Sequence, residues 1–377
     1  MKLMFIGSRL FEDVVLYTRK KGITSILTES NSNSPHNELA DITHIVPRGM
    51  EGPKEIALKE DVDGVVPLIG VDGPLLSLAK LKKDLEENYG IPVVASPLKA
   101  ANLSQDKVKT KEFLIENHLP TPQFQIINQD TTELPFDVPV VFKQGQGQGG
   151  QGINIATTSL EVQKCLKTFH GALAEEFVEG AEISVEILGW EGDYIPLVPV
   201  YKGRTTLDGT HPLFKVKKAP LKLDGVNNHE NNQIIRDLAH KFARLLGIEG
   251  TADLDLIFNG KNNLILEINT RPSGTRYLTT ASCNINPLHE LIDMASGNWK
   301  LSRVKKDMKE YSAMEVPVGD YPSERNSYLY RDFSKTSNWI IHGPLQHQRI
   351  TIRGESQDDV LNTAHTLKLK NINGRMS

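Results

Sequence analysis

Residues 140–153 combine a lysine with a glycine-rich stretch, a composition suited to binding phosphate. The sequence is VVFKQGQGQGGQGI, in which Lys143 ends an apolar run. Glycines let backbone amides approach an anion closely, and a lysine beside them supplies positive charge. Gly145, Gly147 and Gly150 match the G-x-G-x-x-G fingerprint, but that loop must open a helix, and the strand-like INIAT follows here. We predict a glycine flap between two antiparallel strands; the alternative is an ordinary surface hairpin.

A second group of polar side chains lies on two predicted strands, in TADLDLIFNGKNNLILEINTR at 251–271. Alternation puts Glu267 and Asn269 on one face of a strand, and Asp253 and Asp255 on one face of the preceding strand. Carboxylate and amide oxygens are the ligands that Mg²⁺ prefers. We predict that Asp255, Glu267 and Asn269 bind Mg²⁺; the alternative is a solvated sheet face.

The turn between these strands tests the metal site. A two-residue turn at Asn259-Gly260 would pair Asp255 with Leu264 and aim it away from Glu267. The two acids share a face if the loop has an odd number of residues. We therefore predict a three- or five-residue loop in which Gly260 supplies a positive φ.

The elements that must position these groups begin with a parallel sheet. Strand-like runs alternate with helix-like runs across roughly 1–98, which is typical of βαβ units and of the α/β class. The predicted strands are 3–6, 23–27, 63–70 and 91–97, and the predicted helices are 9–21 and 74–90.

Patterns further along the chain predict more helices and strands. Thr158 and Glu161 have the spacing of a capping box at the start of a helix. The lysine-rich 300–309 is predicted as a link. The other predicted helices are 105–117, 229–246, 286–297 and 357–369, and the other predicted strands are 172–187, 195–201, 252–258, 263–269 and 348–354.

Length and composition limit the classes of protein to which the chain can belong. Its 377 residues suffice for two or three subdomains, and a net charge of -4 argues against nucleic-acid binding through a broad basic surface. Cys165 and Cys283 do not form a C-x-x-C motif, which suits a reducing compartment. No apolar run reaches the length of a membrane span. The histidines lack zinc-site spacing. We expect a cytoplasmic protein with no membrane or nucleic-acid partner.

Taken in order, these motifs resemble the ATP-grasp superfamily from residue 1 to about residue 300. That superfamily includes D-alanine–D-alanine ligase, biotin carboxylase and the large subunit of carbamoyl phosphate synthetase. The resemblance implies a Rossmann-like pre-ATP-grasp domain at 1–104 and an ATP-grasp domain at 105–300. Within the latter it implies a small lid at about 120–178 and an α+β catalytic subdomain with an antiparallel sheet at about 179–300. Residues 301–377 then form a C-terminal extension that packs on the catalytic subdomain.

Three segments carry the resemblance for ATP. DKVKTKEFLIENHLPTP resembles the helix whose first lysine reaches the phosphates, and the glycine stretch resembles the flap above them. LAEEFVEGAEISVEIL resembles the strand that binds adenine through backbone groups and ribose through a glutamate. The alternative for Lys107 is an ordinary solvated lysine on the helix, and the alternative for Glu182 is a glutamate that faces solvent. The ATP-binding residues implied are Lys107, Lys143, Gly147, Gly149, Gly150, Glu175, Glu176, Val178 and Glu182.

The resemblance also covers the metal and the substrates. Asp255, Glu267 and Asn269 fall on the magnesium ligands of the family, and the twelve positions between the two acids agree with it. Arg271 matches the arginine that stabilises the charged intermediate. The cofactors implied are ATP and two Mg²⁺ ions, with Mn²⁺ as the alternative ion. Arg276 is the candidate for holding a substrate carboxylate or phosphate, because guanidinium is a bidentate donor. Further substrate-binding candidates are Lys202, Arg204, Lys215 and Ser273.

The activity implied is an ATP-dependent ligase that joins a carboxylate to an amine through an acyl phosphate and releases ADP and phosphate. Biotin carboxylase has a glutamate base where Pro272, Ser273 and Gly274 stand here, which disfavours bicarbonate chemistry. The alternatives are another ATP-grasp phosphoryl transfer, such as a carboxylase, and an inactive ATP-binding regulator. A nicotinamide-dependent oxidoreductase needs a glycine triad that Gly7 alone does not supply. The expected partners are small-molecule carboxylates and amines, and a homodimer is compatible with the sequence.

Overall fold

The structure is a computed structural model that describes residues 1–145, 152–210, 212–319, 321, 333, 338–344, 346–370 and 372. Within these ranges the chain forms three β-sheets of four, four and eight strands. No helix of the described chain has the length and apolar character needed to cross a membrane.

The first sheet is parallel and lies in the N-terminal segment, in the order β3-β2-β1-β4. The α/β prediction is therefore confirmed for this segment. Its elements are β1 (Lys2–Ile6), α1 (Val15–Lys20), β2 (Thr24–Glu29), β3 (Ile42–Ile45), α2 (Glu51–Lys59), β4 (Gly64–Pro67), α3 (Leu75–Tyr89) and α4 (Leu98–Ser104).

Two predictions for this segment are wrong in detail. The helix predicted at 9–21 is shorter, because a separate 3₁₀ turn occupies Phe11–Asp13. The strand predicted at 91–97 is reduced to one isolated bridge between Val93 and Val65. Prolines at 92 and 97 flank that bridge and have no N–H to donate to a longer ladder.

The second sheet is antiparallel, in the order β5-β8-β6-β7. Because β6 and β7 pair antiparallel, the glycine stretch joins antiparallel strands as predicted. Thr158 and Glu161 form the predicted capping box. The elements are α5 (Lys107–Glu116), β5 (Phe124–Ile126), β6 (Val140–Lys143), β7 (Ile153–Ala156), α6 (Ser159–Thr168) and β8 (Leu173–Glu176).

The third sheet has eight strands, in the order β13-β12-β9-β10-β11-β14-β16-β15. Its elements are β9 (Ala181–Trp190), β10 (Asp193–Arg204), β11 (Lys217–Ala219), α7 (Asn228–Leu246), β12 (Gly250–Phe258), β13 (Asn263–Asn269), α8 (Arg276–Cys283), α9 (Pro287–Ala295), α10 (Leu301–Asp307), β14 (Ser312–Gly319), β15 (Trp339–His342), β16 (Gln348–Gly354) and α11 (Gln357–Thr366).

Two further predictions differ from these elements. The strand predicted at 172–187 is two strands, β8 and β9, which belong to different sheets. The chain crosses between them through Gly180, where an added Cβ would lie 2.2 Å from the carbonyl oxygen of Phe258. The link predicted at 300–309 contains α10. Strands β14, β16 and β15 continue the eight-stranded sheet beyond β11.

The eight-stranded sheet has two faces of different character. On one, called the back face here, Ile183 and Val185 pack against Phe242 of the amphipathic helix α7. The opposite or front face carries polar side chains, because side chains alternate along each strand. The front-face side chains used below belong to Glu267, Asp255, Ser184, Lys202, Lys217 and Glu315.

Candidate active site

Asp255 and Glu267 are direct cross-strand partners on β12 and β13. The loop prediction was wrong, since four residues, 259–262, separate the strands. The register shifts between Asp255 and Leu256, so that Leu266 is an extra residue in β13 and brings Glu267 opposite Asp255. Gly260 has φ 92°, as predicted. A bulge therefore brings the two carboxylates together.

The charge around Asp255 indicates a site for cations. Its carboxylate accepts a hydrogen bond from Lys202 Nζ at 2.6 Å. Burial, together with the charges of Asp253 and Glu267, raises the pKa of Asp255 to about 7, and Lys202 opposes the rise. Burial lowers the pKa of Lys202, but Asp255 and Asp253 outweigh this effect and raise it overall.

The donor set fits a hard divalent cation. Two facing carboxylates and the amide oxygen of Asn269, two residues beyond Glu267, are oxygen ligands of the kind Mg²⁺ takes. Arg271 Nη2 donates to Asn269 Oδ1 at 3.3 Å and so orients the amide. In the described ranges no three His, Cys, Asp or Glu side chains form a metal-binding group. The candidate site therefore needs the amide as its third ligand.

A buried group of charges fixes Lys143 in the antiparallel lid sheet. Lys143 Nζ lies 3.0 Å from both carboxylate oxygens of Glu175, and Lys111 Nζ lies 3.0 Å from Glu175 Oε2. The side chains of Lys111 and Glu175 are 1% and 2% exposed. Burial raises the pKa of Glu175, but the charges of Lys111 and Lys143 lower it overall. Burial lowers the pKa of Lys111 to about 8, although Glu175 opposes the change.

Lys111 also joins the lid to β13, the strand that carries Glu267. Its Nζ donates to the hydroxyl of Thr121 and lies 3.5 Å from the carbonyl oxygen of Ile265, two residues before Glu267. Thr121 donates to the same carbonyl at 2.8 Å. The cations of the lid are thereby held next to the strand that carries Glu267.

Lys107 is the first residue of α5, where Asp106 caps the helix through the amides of Val108 and Lys109. Its own N–H donates to the carbonyl of Gly145 at 3.0 Å, so the start of α5 is attached to the start of the glycine stretch. Gly147, Gly149 and Gly150 lie outside the described residues.

The residues predicted to bind adenine and ribose lie where the chain passes between the two sheets. Glu176 forms two hydrogen bonds with Gln123. Its N–H donates to the Gln123 carbonyl, and its carboxylate accepts from the Gln123 N–H at 2.9 Å. Val178 is half-buried. Glu182 pairs with Lys215 at 3.0 Å instead of facing solvent alone. Burial raises the pKa of Glu182, and Lys215 opposes the rise.

Two arginines connect the catalytic part with the N-terminal domain. Arg271 Nε forms an ion pair with Asp72. Arg276 Nη2 lies 3.3 Å from Asp13 Oδ2 and 3.2 Å from the hydroxyl of Tyr277, which itself donates to Asp13 at 2.6 Å. Arg276 Nε is buried without an acceptor among the described residues.

Two predicted substrate contacts do not fit their positions. Ser273 is fully buried, and its hydroxyl donates to Asp253 at 2.8 Å, so that it positions its loop instead of facing a cleft. Arg204 pairs with Ala181 after a register shift in β10 and therefore lies on the back face, opposite to Lys202. Lys202 and Lys215 stay beside the front-face acids.

A buried charged group under α8 was not predicted. Lys217 donates to Glu315 at 2.7 Å, His342 Nε2 lies 3.4 Å from Glu315 Oε2, and the ring of Tyr277 stacks on His342 at 3.9 Å. These contacts join segments far apart in the sequence, which no local pattern reveals. The burial of Lys111, in contrast, could have been inferred from the sequence. Lys111 lies three residues before the buried Leu114 and therefore on the same face of the helix.

The chain is similar to several known proteins. The profile of the ATP-grasp domain matches residues 104–275. Carbamoyl-phosphate synthase of Methanobrevibacter smithii is 46% identical over 364 residues, which are 96% of this chain and 98% of that protein. The 3-methyl-D-ornithine–L-lysine ligase of Methanosarcina barkeri is 25% identical over 287 residues, 75% of this chain and 70% of that protein.

A solved structure shares the fold over the whole length of the chain. It is the biotin carboxylase domain of the 2-oxoglutarate carboxylase of Hydrogenobacter thermophilus, solved with MgADP, ADP and bicarbonate. The TM-score is 0.76 at 18% identity, covering 100% of this chain and 96% of that chain.

Proposed function

This chain belongs to the ATP-grasp family of ATP-dependent ligases, and from that membership we propose that it joins a small carboxylate to an amine. The observation that carries the proposal is the attachment of the buried lysines of the lid to β13, the strand that carries Glu267. Lys111 contacts Glu175, the partner of Lys143, and also reaches the carbonyl of Ile265. A triphosphate between the lid sheet and the front face of the catalytic sheet would therefore meet lysines on one side and carboxylate-bound cations on the other.

The proposed reaction has two steps. A carboxylate oxygen of the substrate attacks the γ-phosphorus of ATP, the bond to the β-phosphate oxygen breaks, and ADP leaves. The amine nitrogen then attacks the acyl carbon, loses a proton to solvent, and inorganic phosphate leaves. Negative charge builds on the transferred phosphoryl group, so the chain must supply cations and exclude water from the acyl phosphate.

Individual residues have proposed roles in this scheme. Lys107 and Lys143 bind phosphate oxygens, with Lys143 released from Glu175 as the nucleotide enters. The lid strand at Glu176 and Val178 binds adenine, and Glu182 binds the ribose hydroxyls. Arg276 uses its unoccupied Nε donor for the substrate carboxylate. Arg271 lies next to Asn269 and stabilises the developing charge.

Asp255, Glu267 and Asn269 would hold Mg²⁺, which when bound neutralises phosphate charge and polarises the γ-phosphoryl group. We propose two ions, with Mn²⁺ able to replace Mg²⁺. The fold relative was solved with MgADP, which supports the choice of metal. We further propose that the enzyme works in the cytoplasm, in keeping with the unpaired, buried Cys165 and Cys283. A homodimer is a proposal to be tested by light scattering.

A second candidate uses bicarbonate as the carboxylate and ammonia as the amine. The full-length relative named carbamoyl-phosphate synthase favours it, because carbamoyl phosphate is an acyl phosphate built from those two compounds. The buried Ser273 in the segment after Arg271 argues against a general base there. Both candidates share the first step.

One experiment tests the proposal and separates the candidates. ADP release is measured with pooled amino acids and small dicarboxylates, and in parallel with bicarbonate and ammonia, followed by mass spectrometry of the products. Transfer of ¹⁸O from the labelled carboxylate to phosphate demonstrates the acyl phosphate. ADP release that needs a carboxylate but transfers no label would contradict the mechanism.

A further inference from the structure

The segment 202–222 has cations on both faces of the eight-stranded sheet, and those on the front face are neutralised. Lys202 pairs with Asp255 at 2.6 Å, Lys215 with Glu182 at 3.0 Å, and Lys217 with Glu315 at 2.7 Å. Each of these lysines therefore has a carboxylate partner within the protein.

The cations on the back face differ. Arg204 lies opposite Ala181, and Lys218 lies opposite Tyr201, on the face that also carries the α7 core. Lys222 follows in the next loop. Within the described residues, none of the side chains of Arg204, Lys218 and Lys222 forms a salt bridge or hydrogen bond, whereas each front-face lysine forms both.

These three cations line the same cavity, of about 870 Å³. It lies on the back face, between the loop 220–226 and the N-terminal turn of α11, away from the acids of the front face. Its volume is within the range of small-molecule pockets, roughly 300–1,000 Å³. Tyr201, Met314 and Val360 contribute apolar surface.

The charge in this cavity favours an anion. Three cations, Arg204, Lys218 and Lys222, and two carboxylates, Glu179 and Asp224, line it, so that the positive charges exceed the negative charges by one. Cations that are unpaired in a concave site raise the local concentration of anions, and guanidinium binds carboxylate or phosphate with two parallel hydrogen bonds.

We propose that the back-face cavity is a second binding site, for a small organic anion. Arg204 and Lys218 hold its carboxylate or phosphate group, and Tyr201 and Met314 contact its apolar part. The sheet separates this site from the proposed nucleotide cleft, so the two are occupied independently. The site also explains why Arg204, a predicted substrate residue, points away from Asp255.

Calorimetric titration of the full chain with citrate and with inorganic phosphate tests this site. At least one probe should bind the wild type, and the double variant Arg204→Gln/Lys218→Gln should bind it about tenfold or more weakly, as expected for lost charge-assisted hydrogen bonds. The matched control Lys305→Gln/Lys306→Gln, at exposed positions of α10, should bind like the wild type.

Titration with MgADP separates this proposal from the proposed function. Lys143→Gln should weaken ADP binding and leave probe binding unchanged, and the Arg204/Lys218 double variant should do the reverse. The back-face site is refuted if the wild type binds neither probe, if the double variant binds like the wild type, or if Lys143→Gln removes probe binding. Failure of ADP to bind any variant would instead contradict the proposed function alone.

Discussion

The carboxylates of Asp255 and Glu267 face each other across β12 and β13 as direct cross-strand partners. Like charges directly opposite each other in a sheet are destabilising, and Lys202 contacts Asp255 at 2.6 Å. The bulge at Leu266 is what creates this opposition. A local irregularity that brings two acids together at an energetic cost is typical of a functional site.

Replacing Glu267 with glutamine should abolish activity and keep the fold. Removing a carboxylate ligand should lower the rate of ADP formation by more than about 100-fold, since even residues that only support metal ligands cost 10–100-fold. The melting temperature should stay equal or rise, because repulsion of Asp255 is relieved. Coupled-enzyme ADP assays and calorimetry measure the two effects.

Glu310→Gln is the matched control for this variant, because Glu310 is exposed. It should behave as the wild type in both assays. If Glu267→Gln retains most of the turnover, the metal assignment is wrong.

Replacing Lys111 with methionine should destabilise the lid and weaken nucleotide binding. The change leaves buried Glu175 with Lys143 as its remaining cation, so the free energy of unfolding should fall by about 3 kcal/mol, the lower end for a broken buried pair. Lys143 would also be held more tightly by Glu175 and less available to phosphate. Urea unfolding and ADP titration measure these changes.

Lys109→Met in the same helix provides the control, because the Lys109 side chain is 58% exposed. Its free energy of unfolding should change by less than about 0.5 kcal/mol. Equal effects of the two substitutions would contradict the role given to Lys111.

The sequence predicts the regular elements near the proposed metal site better than the contacts between segments. The bounds predicted for β13 and β16 are those observed, because each is an alternating run ended by turn residues. β11 has three residues and exists only through pairing with β10 and β14. A strand of three residues is too short to show the alternation of apolar and polar side chains from which strands are predicted.

In the candidate site, too, the residues could be predicted from the sequence but some of their contacts could not. Spacing along two strands identified Asp255, Glu267 and Asn269 as neighbours, yet the bulge that aligns them could not be inferred from alternation. Tyr277 and Asp13 are 264 positions apart and meet only after the domains pack. The face of Arg204 depended on an irregularity within β10, which reverses the expected alternation.

The buried His342 should make stability fall in mild acid. Burial lowers the pKa of His342 to about 4 from an ordinary 6.5; Arg349 and Arg276 also lower it, and Glu315 opposes them. The native imidazole therefore stays neutral between these values, while the unfolded chain binds the proton. The contribution of His342 to stability is therefore constant above about pH 6.5 and declines toward pH 4, by on the order of 3 kcal/mol.

Urea unfolding at a series of pH values checks this dependence. His342→Gln should flatten the curve between pH 6.5 and 5, above the range in which most carboxylates titrate. The exposed His365 lies on α11, and His365→Gln should leave the curve unchanged. A His342→Gln curve as steep as that of the wild type would show that another group titrates.

Replacing Arg276 with lysine should separate substrate binding from nucleotide binding. Lysine keeps the charge beside Asp13 but cannot supply the buried Nε donor, which has no acceptor in the described part of the protein. We expect the KM for the carboxylate substrate to rise about tenfold or more, while the KM for ATP stays within about twofold. Arg9→Lys, at an exposed position, should alter neither constant. A parallel rise in both KM values would mean that Arg276 only holds the domains together through Asp13 and Tyr277, and the carboxylate would then have to be bound elsewhere on the front face.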